Sequence, residues 1–176
     1  MVFIIMSGFI LGLDASTSIV GYAFATSDGY ITDAGFWNIS KIETNKEKAK
    51  AVLKHLGCIC YSYKLDHINL EAALSGFGGG LTSQQTIITL SRWNAVLEYV
   101  LDEDFQVPIN LCNVNTMRKK VLGAARIKGV KPKEYVKSTL PKLYPDIRRF
   151  EKLNRKKEWD AHNSDMYDAV ICALFG

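Results

Sequence analysis

The sequence has little that would staple, anchor or disorder it. Its four cysteines, Cys58, Cys60, Cys112 and Cys172, include one close pair, and a lone C-x-C lacks the second pair that a structural zinc site needs. Four cysteines in 176 residues also fall short of a disulfide-dense secreted scaffold, so buried free thiols in a reducing compartment are expected. Proline is scarce at 4 residues and glycine modest at 13, which excludes collagen-like and low-complexity chains. With 48% hydrophobic and 23% charged residues, intrinsic disorder is excluded as well. No Lys or Arg precedes Lys41, so the apolar run over residues 2–13 has no basic flank of the kind a signal peptide carries. Asp14 interrupts that run well short of the ~20 residues a membrane span requires. The expectation is a soluble cytoplasmic protein with no membrane association. There is no G-x-S-x-G elbow and no persuasive Cys–His pairing, which removes serine and cysteine hydrolases.

What is present is enough for one domain over residues 1–176, since a chain this long buries roughly 70% of its unfolded surface. The pattern predicts a buried strand over 3–13, a second over 18–26, a turn at Asp28-Gly29 and a returning strand over 30–37. A helix is predicted over 43–63, a short strand over 68–70 ending at Glu71, and a flexible glycine loop over 76–80. A long helix over 83–101 with Ser83 as cap precedes a strand over 107–114, short helices over 116–122 and 132–143, and a final helix over 164–174. Residues 144–160 read as irregular and basic. Three leading antiparallel strands followed by strand–helix alternation predict an α/β fold, a mixed five-stranded sheet with helices on its faces.

Charge is unevenly spread. Residues 114–157 hold 15 of the 22 basic residues and only three acids, a local net of +12 against −8 for the remainder. So basic a stretch in an otherwise acidic chain points to a polyanionic partner, nucleic acid before any other. Arg118, Lys119, Lys120, Lys128, Lys131, Lys133 and Lys137 are its best phosphate contacts. Lys131 and Lys133 flank Pro132 at a helix start, beside backbone N–H donors.

Acidic residues stand at strand ends. Asp14 closes the first apolar strand and Glu71 the fourth, while Asp165 and Asp168, three apart, share a face of an otherwise apolar helix. Burying several carboxylates together is expensive unless a cation lies between them. Oxygen ligands without histidine select Mg²⁺ or Mn²⁺ over Zn²⁺, and two such ions suit phosphodiester hydrolysis. His162 lies near but has no partner at ligand spacing and is expected to be a bystander, and Asp160 a cap or loop charge.

These residues carry a resemblance. The run ILGLDASTSIVGYAF (10–24) resembles the first motif of the RuvC-like Holliday junction resolvases, INLE (68–71) their second, and SDMYDAVICAL (164–174) their C-terminal helix. The stretch GFGGGLTSQQTIITLSRWNAVLEYV (76–100) resembles the phage-encoded branch, which would place the protein in a host cytoplasm. The resemblance implies a ribonuclease H-like fold with helices on both faces of the sheet, and metal-dependent endonucleolytic cleavage of four-way and other branched DNA by a homodimer. It implies that Asp14 bridges two Mg²⁺ ions, for which Mn²⁺ substitutes, that Glu71 holds one and Asp168 the other, and that Asp165 completes or orients the second site. Some relatives lack an Asp at the position of Asp165. An apolar or aromatic residue after the Glu probes the junction centre in the family; Leu74 aligns in simple register and Phe77 is the better stacker.

The helix over 83–101 argues for a dimer by itself. Leu90, Trp93, Val96, Leu97, Val100 and Leu101 form one broad apolar stripe, and Ile88, Ala95 and Tyr99 a second, narrower one. One stripe suffices to face a core; the other is to be covered either by another part of this chain or by a second copy of it, the simplest partner. Three further readings compete. A nuclease of the same fold acting on flaps or hybrids would use the same carboxylates. A non-catalytic nucleic-acid-binding module would be expected to have lost at least one of them. D-A-S-T after a strand also resembles the phosphate hairpin of sugar kinases and actin-like ATPases, whose second large domain does not fit in 176 residues.

Overall fold

The computed structural model describes residues 8–60, 64–73 and 83–175. Its sheet runs β3-β2-β1-β4-β5, built from β1 (Phe9–Ala15), β2 (Ile19–Thr26), β3 (Ile31–Asn38), β4 (Leu65–Glu71) and β5 (Ile109–Cys112). The first three strands pair antiparallel, and β4 and β5 extend the sheet from β1 in parallel. β1 is therefore central and covered on both faces, which is why it reads as an unbroken apolar run. The turn between β2 and β3 closes through Gly29, whose φ of 85° is one that glycine adopts without strain.

Among the described residues five α-helices cover the sheet: α1 (Asn45–Cys60), α2 (Gln84–Phe105), α3 (Val114–Leu122), α4 (Pro132–Leu143) and α5 (Asn163–Ala173). Two cores result. Leu11, Leu13, Ile68 and Leu70 face Val52 and Leu56 of α1 and Trp93, Leu97 and Leu101 of α2. Ala23 and Ala25 lie in the other core with Met166, Ala169 and Val170 of α5, Met117 of α3 and Leu140 of α4. The expected α/β architecture, a mixed five-stranded sheet with helices on both faces, is borne out.

The differences have local causes. β4 starts at Leu65, earlier than its apolar centre, because pairing with β1 carries Asp66 and His67 into the sheet. α2 continues to Phe105 and stops where Gln106 turns left-handed at φ 53°, two residues before Pro108. β5 is short because Asn113 leaves it to cap α3, its side chain accepting from the N–H groups of Asn115 and Thr116. The stretch expected to be irregular contains a 3₁₀ turn (Pro145–Phe150) and a hairpin closed by a bridge between Leu153 and Trp159. All four thiols are free, but Cys58 is exposed and Cys60 half-buried, leaving Cys112 and Cys172 as the buried pair. Among the described residues no helix is long and apolar enough to cross a membrane.

On α2 the broad stripe faces the core through Trp93, Leu97 and Leu101, while Ile88, Ala95 and Tyr99 are exposed, Tyr99 at 64%. No described residue of this chain covers that second stripe. Leu74, Phe77 and the glycine loop lie outside the described residues.

Candidate active site

Asp14 and Glu71 end adjacent parallel strands. The register pairs Leu13 with Leu70, so the next residue on each strand, Asp14 and Glu71, stands side by side at the same sheet edge. Leu13 and Leu70 enter the core beneath α1 and α2, and strict alternation turns the two carboxylates toward the α5 face.

α5 lies unusually close to the sheet there. A Cβ on Gly21 would stand 2.1 Å from the Asp165 carbonyl oxygen, and one on Gly12 2.2 Å from that of Ala169. Any side chain at either position would lift the helix. Asn69, buried in β4, donates from Nδ2 to the Cys172 carbonyl at 2.9 Å, and Asn110 of β5 donates to Asn69 Oδ1 at 3.0 Å. The Cys172 carbonyl also accepts from the Phe175 N–H at 3.2 Å, so both of its lone pairs are engaged. Asn94 of α2 donates to the Glu71 carbonyl at 3.0 Å, tying the end of β4 to the opposite layer.

The four carboxylates form one electrostatic group. Burial first, and then the charges of Glu71, Asp168 and Asp165, push Asp14 well above the usual carboxylate range, against the pull of Lys133. Burial and the Asp168 charge raise Glu71 to about 7, opposed by Arg118 and Lys133. Asp168 is raised by burial and drawn back by its ion pair with Arg118. That pair is itself buried, with Nη2 2.8 Å from Oδ1, while the Arg118 Nε finds no hydrogen-bond partner among the described residues. Lys133 Nζ stands 3.5 Å from Asp165 and 3.2 Å from the Ser164 hydroxyl. His162 Nδ1 lies 3.3 Å from the other Asp165 oxygen.

This donor set fits a hard divalent cation. It is all oxygen, Asp168 is buried and Asp14, Glu71 and Asp165 are half-buried, and burial together with mutual repulsion raises Asp14, Glu71 and Asp168 against the pull of two cationic side chains. Among the described residues no three His, Cys, Asp or Glu side chains converge closely enough to enclose an ion, and one Asp168 oxygen faces Arg118 instead. Asp14, Ser16, Glu71, Leu90 and Asn94 line an open cleft of about 160 Å³ beside the group.

Asp14 and Glu71 at adjacent strand ends and Asp165 and Asp168 on α5 thus lie near enough to act on one another's charge. Lys119, Lys120, Lys128, Lys131, Lys133 and Lys137 are exposed, Lys131 at the N-cap of α4 and Lys120 over the Phe175 ring at 5.0 Å. Arg118 corrects the sequence expectation. It is not an exposed phosphate contact but a buried partner of Asp168. The signal was its place in α3, four residues after Val114 and four before Leu122, on the inward stripe. His162, expected to stand aside, touches Asp165, as a residue three positions earlier in a first turn can. Asp160 does cap a turn, accepting from the His162 N–H at 2.9 Å.

No family model matches the chain, and no curated protein matches it in sequence. Solved structures do match it. Thermus thermophilus RuvC superposes at a TM-score of 0.61 with 14% identity, covering 95% of this chain and 92% of that one. The fold is RuvC-like. The same RuvC in complex with a Holliday junction substrate gives 0.63 over 96% of this chain and 91% of that one, again at 14% identity. The yeast mitochondrial Holliday junction resolvase Ydc2 gives 0.60 at 13% identity over 96% of this chain and 77% of its own. The likeness is of the fold, and the RuvC-like core accounts for nearly every described element.

Proposed function

We propose that this chain is a Mg²⁺-dependent endodeoxyribonuclease that resolves four-way DNA junctions by paired nicks from a homodimer. The observation that carries this reading is the pairing of Asp14 and Glu71 at adjacent strand ends beneath Asp165 and Asp168, in a fold shared with a resolvase solved on its junction substrate. Asp14, Glu71, Asp168 and Asp165 would together hold the metal ions, as the resemblance to the resolvases implies. Two ions, when bound, supply a water ionised near neutral pH and a stabilised leaving oxygen.

The chain's own groups do the rest. Arg118 pulls the Asp168 carboxyl back against the upward push of burial and fixes its orientation. Lys133, reaching Asp165 from the exposed start of α4, is the first cation an entering phosphate meets, with Lys119, Lys120, Lys128, Lys131 and Lys137 along the same basic segment. Leu74 or Phe77, both outside the described residues, would probe the junction centre as the resemblance implies. The exposed stripe of Ile88, Ala95 and Tyr99 on α2 joins two copies, and a two-fold dimer matches the two-fold symmetry of a four-way junction.

The test compares wild type and Asp14→Asn on a mobile-core four-way junction and on linear, flap and RNA–DNA hybrid substrates, in Mg²⁺ and in Mn²⁺. Wild type should nick opposed strands of the junction in preference to the others. Asp14→Asn should bind the junction and cut it at least about a thousandfold more slowly, about 4 kcal/mol of lost transition-state stabilisation. A preference for flaps or hybrids would keep the nuclease and discard the junction. Junction binding without cleavage in either metal would leave a binding module.

A further inference from the structure

Between the 3₁₀ turn and α5 the chain folds a hairpin that the carboxylate chemistry does not use. Its base is fastened to α5. Asn163, fully buried in the first turn of that helix, accepts from the Lys152 N–H at 2.9 Å and donates to the Lys152 carbonyl at 2.8 Å. The Tyr167 hydroxyl donates to the Glu151 carboxylate, and the Trp159 ring meets the Tyr167 ring edge-on at 6.1 Å.

The tip is equally well defined and strongly basic. The Asn154 side chain accepts from the N–H groups of Lys156 at 2.8 Å and Glu158 at 3.1 Å, and its backbone N–H donates to the Glu158 carbonyl at 2.8 Å. Arg155, Lys156 and Lys157 are exposed in succession, and among the described residues none of them pairs with a carboxylate. The nearest acid, Glu158, turns its carboxylate back to Asn154 at 3.4 Å. Lys157 also sits at φ 61°, a left-handed conformation that glycine or asparagine would take with less strain. A turn that keeps a lysine there, beside two further unpaired cations, is built to present charge.

Two lysines of α4 lie between the hairpin's neck and the carboxylates. Lys133 touches Asp165, Lys137 places its ammonium 3.9 Å from the centre of the Trp159 ring, and Trp159 is bridged to Leu153 at the hairpin's neck. We infer that the tip of this hairpin, Arg155–Lys157, is a second contact for the DNA backbone, gripping a duplex arm at an offset from the cut that α5 fixes. The inference rests on the junction-nuclease reading for its ligand. Phosphate is the ligand that three adjacent unpaired cations on a rigid turn suit, and the backbone of one arm offers phosphates in series.

The test is the equilibrium affinity for a four-way junction in EDTA, across a salt series, for wild type, Arg155→Ala/Lys156→Ala/Lys157→Ala and Lys157→Gly. The triple variant should bind about tenfold more weakly, and its log–log salt slope should flatten by about 0.9 for each phosphate no longer neutralised, while its melting temperature is unchanged. Lys157→Gly should melt no lower than wild type, because the turn is relaxed, and yet bind more weakly. A triple variant with wild-type affinity and slope would overturn the inference, as would a Lys157→Gly variant that loses no affinity. Wild type that binds junctions but never cuts them would remove the nuclease reading and leave this test intact, because no step of it needs cleavage.

Discussion

α5 and α2 lie on opposite faces of one sheet and are used in opposite ways. Nine of the eleven residues of α5 are buried, and the helix is seated so closely that glycines 12 and 21 are obligatory beneath it. Only four of the 22 residues of α2 are buried, and one of its flanks carries apolar side chains into solvent. The first helix has no freedom, which is what a cluster of mutually repelling carboxylates demands of its support. The second keeps a surface in reserve. Precision of placement and availability for assembly are therefore divided between two helices and do not compete on one.

The sharpest way to break that division is Gly21→Ala. The new methyl meets the Asp165 backbone, so α5 must shift, with an expected loss of about 1–3 kcal/mol in unfolding free energy and most of the cleavage activity. Denaturant titration beside a junction-cleavage assay reads both. A variant with wild-type stability and rate would show that α5 is not held where the glycines place it.

A milder probe acts on the same side through pH. Glu71 holds its proton up to about 7 in the folded chain against an ordinary 4.5, so it binds that proton more tightly folded than unfolded. Its contribution is complete below about 4.5 and is lost as pH climbs to about 7, on the order of 2 kcal/mol shared with its coupled neighbours. Thermal melts in EDTA should therefore fall between pH 5 and pH 7.5, and Mg²⁺ should restore the loss at the higher pH. Melts that rise over that interval would contradict the burial and the mutual repulsion assigned to Glu71.

The smallest effect on the fold belongs to the α2 side. Ile88→Asp/Tyr99→Asp changes exposed positions and should alter unfolding free energy by no more than about 0.5 kcal/mol at each. Sedimentation should nonetheless show monomers, and cleavage should become single nicks. A variant that still dimerises and cuts both strands together would take this stripe out of the interface.

The parts of this arrangement differ in how legibly the sequence announces them. Asp14 and Glu71 are conspicuous because each ends an apolar strand, and Asp165 and Asp168 because an apolar helix has few reasons to carry two acids. Arg118 is hidden by its neighbours, since one inward cation in a run of Arg-Lys-Lys looks like three outward ones until the helical phase of Val114 and Leu122 is followed. The hairpin over 151–160 is harder still. A single bridge closes it, and side-chain bonds from Asn154, Asn163 and Tyr167 hold it, none of which leaves a periodic trace.

The Asn69 tether has a consequence for how the chain can change. A slip of α5 along the sheet by one turn would move it about 5.4 Å. One amide seated on the Cys172 carbonyl makes that slip impossible without abandoning a buried hydrogen bond, and Cys172 lies one turn beyond Asp168. Asn69 therefore indexes the depth of Asp168, much as a pawl fixes a ratchet. The apolar residues around it are free to be exchanged, provided their volume is kept, without moving the carboxylate they surround.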